Sequence, residues 1–157
     1  MHKVRQSRTK NKSLKVFCAF SIGTCPSERG HALEQLSKNP LCTIEPHRLP
    51  FRQYITKMRQ HAFTACPRGN SMESCRTSEA LYMGSYPIIK TSEYLKVYDD
   101  LPVLVVNDWC DITHELLNSA VYYFGQDYFG QDYYSLSKLT MRYWFDKINR
   151  KRTKLGL

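Results

Sequence analysis

Apolar and polar positions fall into short blocks along this chain, and the blocks alternate between strand-like runs and helix-like spacing. Residues 14–20 form an apolar, partly aromatic run and predict the first strand. Ser21-Ile22-Gly23-Thr24 supplies a turn at its carboxyl end, and a helix is expected over about 27–38. A short strand over 41–45 and a helix over 51–60 follow, the latter entered through Pro50, which helices accept at their start. Residues 62–66 predict another strand. Ser74 is placed to cap the helix after it, and Gly84 to stop that helix. A strand over 86–90 carries Pro87 near its start, where a missing N–H does least harm. A short helix is expected over 92–97. The unbroken aliphatic run 102–106 has the signature of a strand buried on both faces. Ile112, Leu116, Ala120 and Tyr123 recur at helical spacing within 111–123.

The run Phe124-Gly125-Gln126-Asp127-Tyr128 is copied at once as Phe129-Gly130-Gln131-Asp132-Tyr133. Its period is too short for a structural repeat, and loops absorb small insertions at low entropic cost, so a loop is expected over 125–131. A helix over 134–149 closes the pattern, with Leu136, Leu139, Tyr143 and Ile148 as candidate core contacts. Strands alternating with helices, the strands rich in buried aliphatics, predict an α/β fold. Its centre would be a doubly wound, mostly parallel Rossmann-like sheet, with a C-terminal helix. Residues 1–13 read as a disordered basic tail, 14–149 as the folded domain and 150–157 as a second basic tail.

The candidate chemistry is concentrated in residues 63–87, where a strand, a Pro67-Arg68-Gly69-Asn70 turn, a helix and a second strand follow one another. Open parallel sheets hold phosphorylated ligands at such strand ends. The first-turn N–H groups of a helix attract anions. Arg68 and Arg76 add forked donors suited to phosphate oxygens, and Gly69 allows a close backbone approach. Glu79 lies one turn after Arg76, where a carboxylate suits two vicinal ribose hydroxyls. Asn70 and Ser74 complete the candidate set. Taken alone, the same residues also describe an ordinary turn followed by a surface ion pair between Arg76 and Glu79.

The order of three motifs narrows the choice. Cys-Pro-Arg-Gly-Asn from Cys66, Arg-x-x-Glu-Ala-Leu from Arg76 and Gly-x-x-Pro-Ile-Ile from Gly84 resemble the exostosin-like glycosyltransferases. So does Asp100-Leu101-Pro102-Val103-Leu104-Val105-Val106-Asn107-Asp108-Trp109, with Asp111-Ile112-Thr113 after it. The chain departs from that pattern at Ser71 and at Ser74-Cys75. The resemblance runs over about residues 17–117 and is to the carboxy-terminal, nucleotide-sugar-binding half of a two-domain transferase of the GT-B type. It implies metal-independent transfer of a sugar from a nucleotide sugar to a glycan or protein acceptor. No cofactor is implied, the nucleotide-sugar donor being a substrate. Arg76 would face the diphosphate and Glu79 the ribose, and a separate acceptor-binding domain would complete the enzyme. The alternative is a non-catalytic or truncated nucleotide-sugar-binding module.

Length and charge fit one such half. The chain has 157 residues, which predicts a single domain and falls short of two. The formal charge of +9 suggests nucleic acid at first sight. Six basic residues, however, lie in 1–15 and five in 147–154, which leaves 12 of the 23 for the body against all 14 acidic ones. A near-neutral body argues against a nucleic-acid partner. No apolar run approaches the roughly 18 residues that span a bilayer, and no signal peptide is read at the start, so cytoplasmic is the default expectation and the compartment stays open. The six cysteines form no Cys-x-x-Cys pair and show no zinc spacing with histidine, so no metal site is expected and mostly free thiols are.

Overall fold

The computed structural model describes residues 11–71, 74–92, 95–98, 100–125 and 139–154. Residues 1–10 of the expected N-terminal tail, the repeat from Gln126 onward and the first part of the expected closing helix lie outside them.

Five strands form one parallel sheet: β1 (Ser13–Cys18), β2 (Cys42–Ile44), β3 (His61–Ala65), β4 (Tyr86–Lys90) and β5 (Leu104–Val106), in the order β2-β1-β3-β4-β5. Register follows side-chain parity. Val16 pairs with Cys42 and with Phe63, Phe63 with Tyr86, and Ile88 with Leu104, so all of these share one face. That face is covered by α1 (Pro26–Ser37) and α4 (His114–Gly125), which contribute Ala32, Leu36, Leu117 and Ala120 to its core. Phe17 and Ile89 point the other way and meet Met58 of α2 (Phe51–Gln60) and Ala80 of α3 (Cys75–Tyr82). The chain runs from β1 outward to β2, then crosses back past β1 to β3. Right-handed crossovers in opposite directions put α1 and α2 on opposite faces, and the reversal falls between β1 and β3. The doubly wound sheet expected from the sequence is therefore present, and every described pairing in it is parallel.

Gly84 ends α3 as its sequence position suggests. It adopts φ 69°, Ser85 N–H donates to the Ala80 carbonyl at 2.8 Å, and Gly84 N–H donates to Leu81 at 3.2 Å. This is the Schellman pattern, which needs a left-handed residue. Four expectations change. The aliphatic run 102–106 is not buried on both faces: β5 lies at the edge of the sheet and Val105 is exposed. Ser74 holds the N-cap position of α3 with extended backbone, but its hydroxyl makes no capping bond. The helix expected from 111 begins at His114, because Asp108 and Asp111 form a reciprocal capping box on a 3-10 turn at Trp109–Asp111. The last helix, α5 (Met141–Lys154), starts later and runs on into the segment expected as a basic tail; none of its residues is buried, so Tyr143 and Ile148 are not core contacts. Periodicity reports an amphipathic face, not the surface that covers it.

Candidate functional site

At the chain reversal between β1 and β3 two loops leave the carboxyl ends of the strands side by side. Ala19-Phe20-Ser21 leaves β1 on one side, and Cys66-Pro67-Arg68-Gly69 leaves β3 on the other. Arg29, in the first half of α1, spans the two loops. Its Nε donates to the Arg68 carbonyl at 2.8 Å and its Nη1 to the Ser21 carbonyl at 2.9 Å, with only 6% of the residue exposed. The structure makes Arg29 an internal tie. Gly69 belongs to the same tie. A Cβ there would lie 3.3 Å from Arg29 Nη2 and 3.5 Å from Thr24 Cγ2. A side chain at this position would press on the protein's own guanidinium.

Arg76 projects from the first turn of α3 into a cleft of about 990 Å3, lined also by Phe20, Ser21, Ile44, His47 and Tyr54. Its guanidinium carbon sits 6.0 Å from the centre of the Phe20 ring. Its Nε and Nη1 are out of solvent and have no hydrogen-bond partner. Among the described residues no carboxylate pairs with Arg76 or with Arg29. Burial first, and the Arg76 charge second, pull the pKa of Arg29 below its usual value. Two like charges therefore act on each other beside the carboxyl ends of β1 and β3.

Glu79 does not pair with Arg76. Its Oε2 accepts the hydroxyl of Tyr54, from α2, at 2.7 Å. Burial and this bond to a carboxylate push the Tyr54 phenol above its ordinary range. The surface ion pair that the spacing allowed is absent, and Glu79 instead orients a ring that lines the cleft.

Arg68 and Ser74 open onto a second concavity of about 350 Å3, over the ends of β3 and β4, lined also by Thr77, Lys90, Tyr98 and Trp109. Asn70 is exposed at the bend of the loop. Cys66, at the floor, is fully buried, and burial pushes its thiol to about 12, so it stays protonated. The six candidate residues thus divide: Arg76 faces the larger cleft, Glu79 bonds a residue of its wall, Arg68 and Ser74 face the smaller concavity, Gly69 packs on Arg29 and Asn70 meets solvent.

Sequence reasoning finds no acid for any histidine, yet His31 Nε2 lies 2.9 Å from Asp108 Oδ1, and Lys90 Nζ lies 3.3 Å from the same oxygen. Sheet order brings these strand-end and helix residues together across 77 positions of sequence. The signal was the Asp108-Trp109 step after an aliphatic run, but nothing in it names the partner. All six cysteines are free thiols, and among the described residues no three of His, Cys, Asp and Glu converge as a metal site.

No family model matches the chain, and no curated protein matches it.

Proposed function

We propose that this chain is the nucleotide-sugar-binding half of an exostosin-like glycosyltransferase, and that Arg76 grips the diphosphate of the donor. The observation that carries this reading is the condition of Arg76, a half-buried cation at the chain reversal of a parallel sheet, with two donor atoms lacking any acceptor and, among the described residues, no carboxylate within ion-pair distance. A buried charge without compensation is costly, and a doubly charged ligand is the simplest compensation for it. The cleft volume, about 990 Å3, suits a ligand of nucleotide-sugar size. The first turn of α3 turns its N–H groups toward the same end of the sheet and adds the positive end of the helix dipole.

In this reading Glu79 keeps the Tyr54 hydroxyl as one partner and offers its remaining acceptor capacity to the ribose. Arg68 and Ser74 approach the donor from the side of the smaller concavity, Asn70 from the exposed bend of the loop, and Gly69 serves by seating the loop on Arg29. Transfer would proceed by stabilising the departing diphosphate, which positioned cationic donors do by a few kcal/mol, roughly, for each contact made. The acceptor and the base that activates it belong to a separate domain, and no step requires a metal.

Thermal melting with UDP, GDP, CDP and ADP tests the binding step. One of them raises the melting temperature of the native chain, and Arg76→Ala weakens that nucleotide on the order of tenfold to a hundredfold. No response to any of the four overturns the reading. Release of free nucleoside diphosphate from the matching nucleotide sugar separates a transferase from a module that only binds.

A further inference from the structure

We propose that α5 is a docking element for an anionic lipid surface. At 100° per residue, Met141, Trp144, Phe145 and Ile148 fall within an arc of about 100° on this helix. Met141 is 80% exposed, Phe145 65% and Ile148 58%, and no residue of the helix is buried. Isolated exposed apolar residues are ordinary, but a continuous stripe at helical spacing is not.

The charges beside the stripe select the occupant. Arg142 and Lys147 border it on either side, and Arg150, Lys151, Arg152 and Lys154 crowd the last turns. The only acid on the helix, Asp146, faces Arg142 at 3.5 Å. Lys147 Nζ lies 5.1 Å from the Trp144 ring centre, so a cation and an interfacial aromatic stand together at the edge of the stripe. An apolar stripe of Met, Trp, Phe and Ile flanked by lysine and arginine matches the boundary between acyl chains and acidic headgroups. A neutral protein groove would satisfy the stripe and leave the cations without partners. Among the described residues no helix is long and apolar enough to cross a membrane, so the helix lies on the surface instead of spanning it. The inference is independent of the nucleotide-sugar reading.

The test uses the full chain with phosphatidylcholine vesicles, pure or containing phosphatidylserine. Cosedimentation is expected to be at least about fivefold greater with the anionic vesicles and to fall as salt rises. Trp144 emission shifts to shorter wavelength on binding, while Trp109, 1% exposed, gives a constant background. The double variant Phe145→Ser/Ile148→Ser, at exposed positions, melts like the parent and loses the vesicle-bound fraction. Lys151→Glu/Arg152→Glu loses it too. Equal binding to both vesicle types, no binding, or binding that survives the α5 variants overturns the proposal; the last would assign it to the basic N-terminal segment. Self-association of the free chain that disappears in Phe145→Ser/Ile148→Ser overturns it in favour of a second copy.

Discussion

The imidazole of His31, in α1, is bonded to both oxygens of Asp108, at 2.9 and 3.1 Å, just beyond the end of β5. The same carboxylate accepts Trp109 N–H at 2.9 Å and meets Lys90 at 3.3 Å. One aspartate thus joins the first helix, the end of β4 and the turn that leads into α4. Its pKa is held down to about 2, first by His31 and then by the Trp109 N–H, with Lys90 adding to both.

That shift has a sign. The folded state binds fewer protons here than the unfolded state, whose carboxylate titrates near the ordinary value of 3.8. The stabilisation is present above that value and is lost as pH falls through about 2. Melting temperature is therefore expected to fall between about pH 4 and pH 2, and Asp108→Asn to flatten that part of the profile while lowering stability at neutral pH. A profile unchanged by Asp108→Asn contradicts this assignment.

Arg76 sets function against stability. Replacing it with Met keeps much of its length and removes a cation whose Nε and Nη1 have no acceptor. The ligand-free protein is expected to gain on the order of 1 kcal/mol, and the response to nucleoside diphosphate to disappear. Chemical denaturation without ligand and melting with ligand read the two effects separately. A loss of stability in Arg76→Met would mean that the cation is compensated within the fold.

Gly69 and Arg29 are coupled by contact. Gly69→Ala places a methyl 3.3 Å from Arg29 Nη2 and forces a guanidinium held by two carbonyls to yield. The expected loss is about 1 kcal/mol. Arg29→Ala alone removes both hydrogen bonds and buried packing and costs roughly 2–4 kcal/mol, offset in part by relief of the Arg76 repulsion. In the Arg29→Ala background the cost of Gly69→Ala should vanish. A double-mutant cycle measured by urea unfolding checks it, and strict additivity would rule the contact out as the cause.

Tyr54→Phe leaves the Glu79 oxygen without its 2.7 Å donor in a partly buried site. A loss of about 1–2 kcal/mol is expected, with most of it recovered when Glu79→Gln accompanies it. Because the Tyr54 phenol is pushed above its ordinary range, the fold holds its neutral form. The stability it contributes is present below the usual phenol pKa and declines as pH rises beyond it. Tyr54→Phe should therefore be less sensitive to alkaline pH than the parent in thermal melts.

The sheet was legible because its strands carry local signals. The buried Phe63 run and the stop at Gly84 announce themselves within a few residues; the stretch around Val105 announces a strand but not its place at the sheet edge, where Val105 is exposed. The placement of Arg76 at the start of a helix after a strand end was legible for the same reason. What escaped is whatever depends on two distant segments meeting. The partners of Arg29 are backbone carbonyls, one of them 39 residues away, and carbonyls leave no mark in a sequence. Glu79 reads as the natural mate of Arg76 at one helical turn, yet a phenol from another helix reaches it first. His31 finds its acid only once β5 is laid at the far side of the sheet. The spacing in α5 shows two faces, but it does not say that the apolar one faces outward.

A single guanidinium grips both loops at the chain reversal, and this fixes how they move. The loop after β1 and the loop after β3 share one rivet, so neither swings away without breaking a bond to the other. The wall of the Arg76 cleft that follows β1 is therefore held at a set distance from the loop after β3, whereas its other wall, residues 44–51, lies outside this tie.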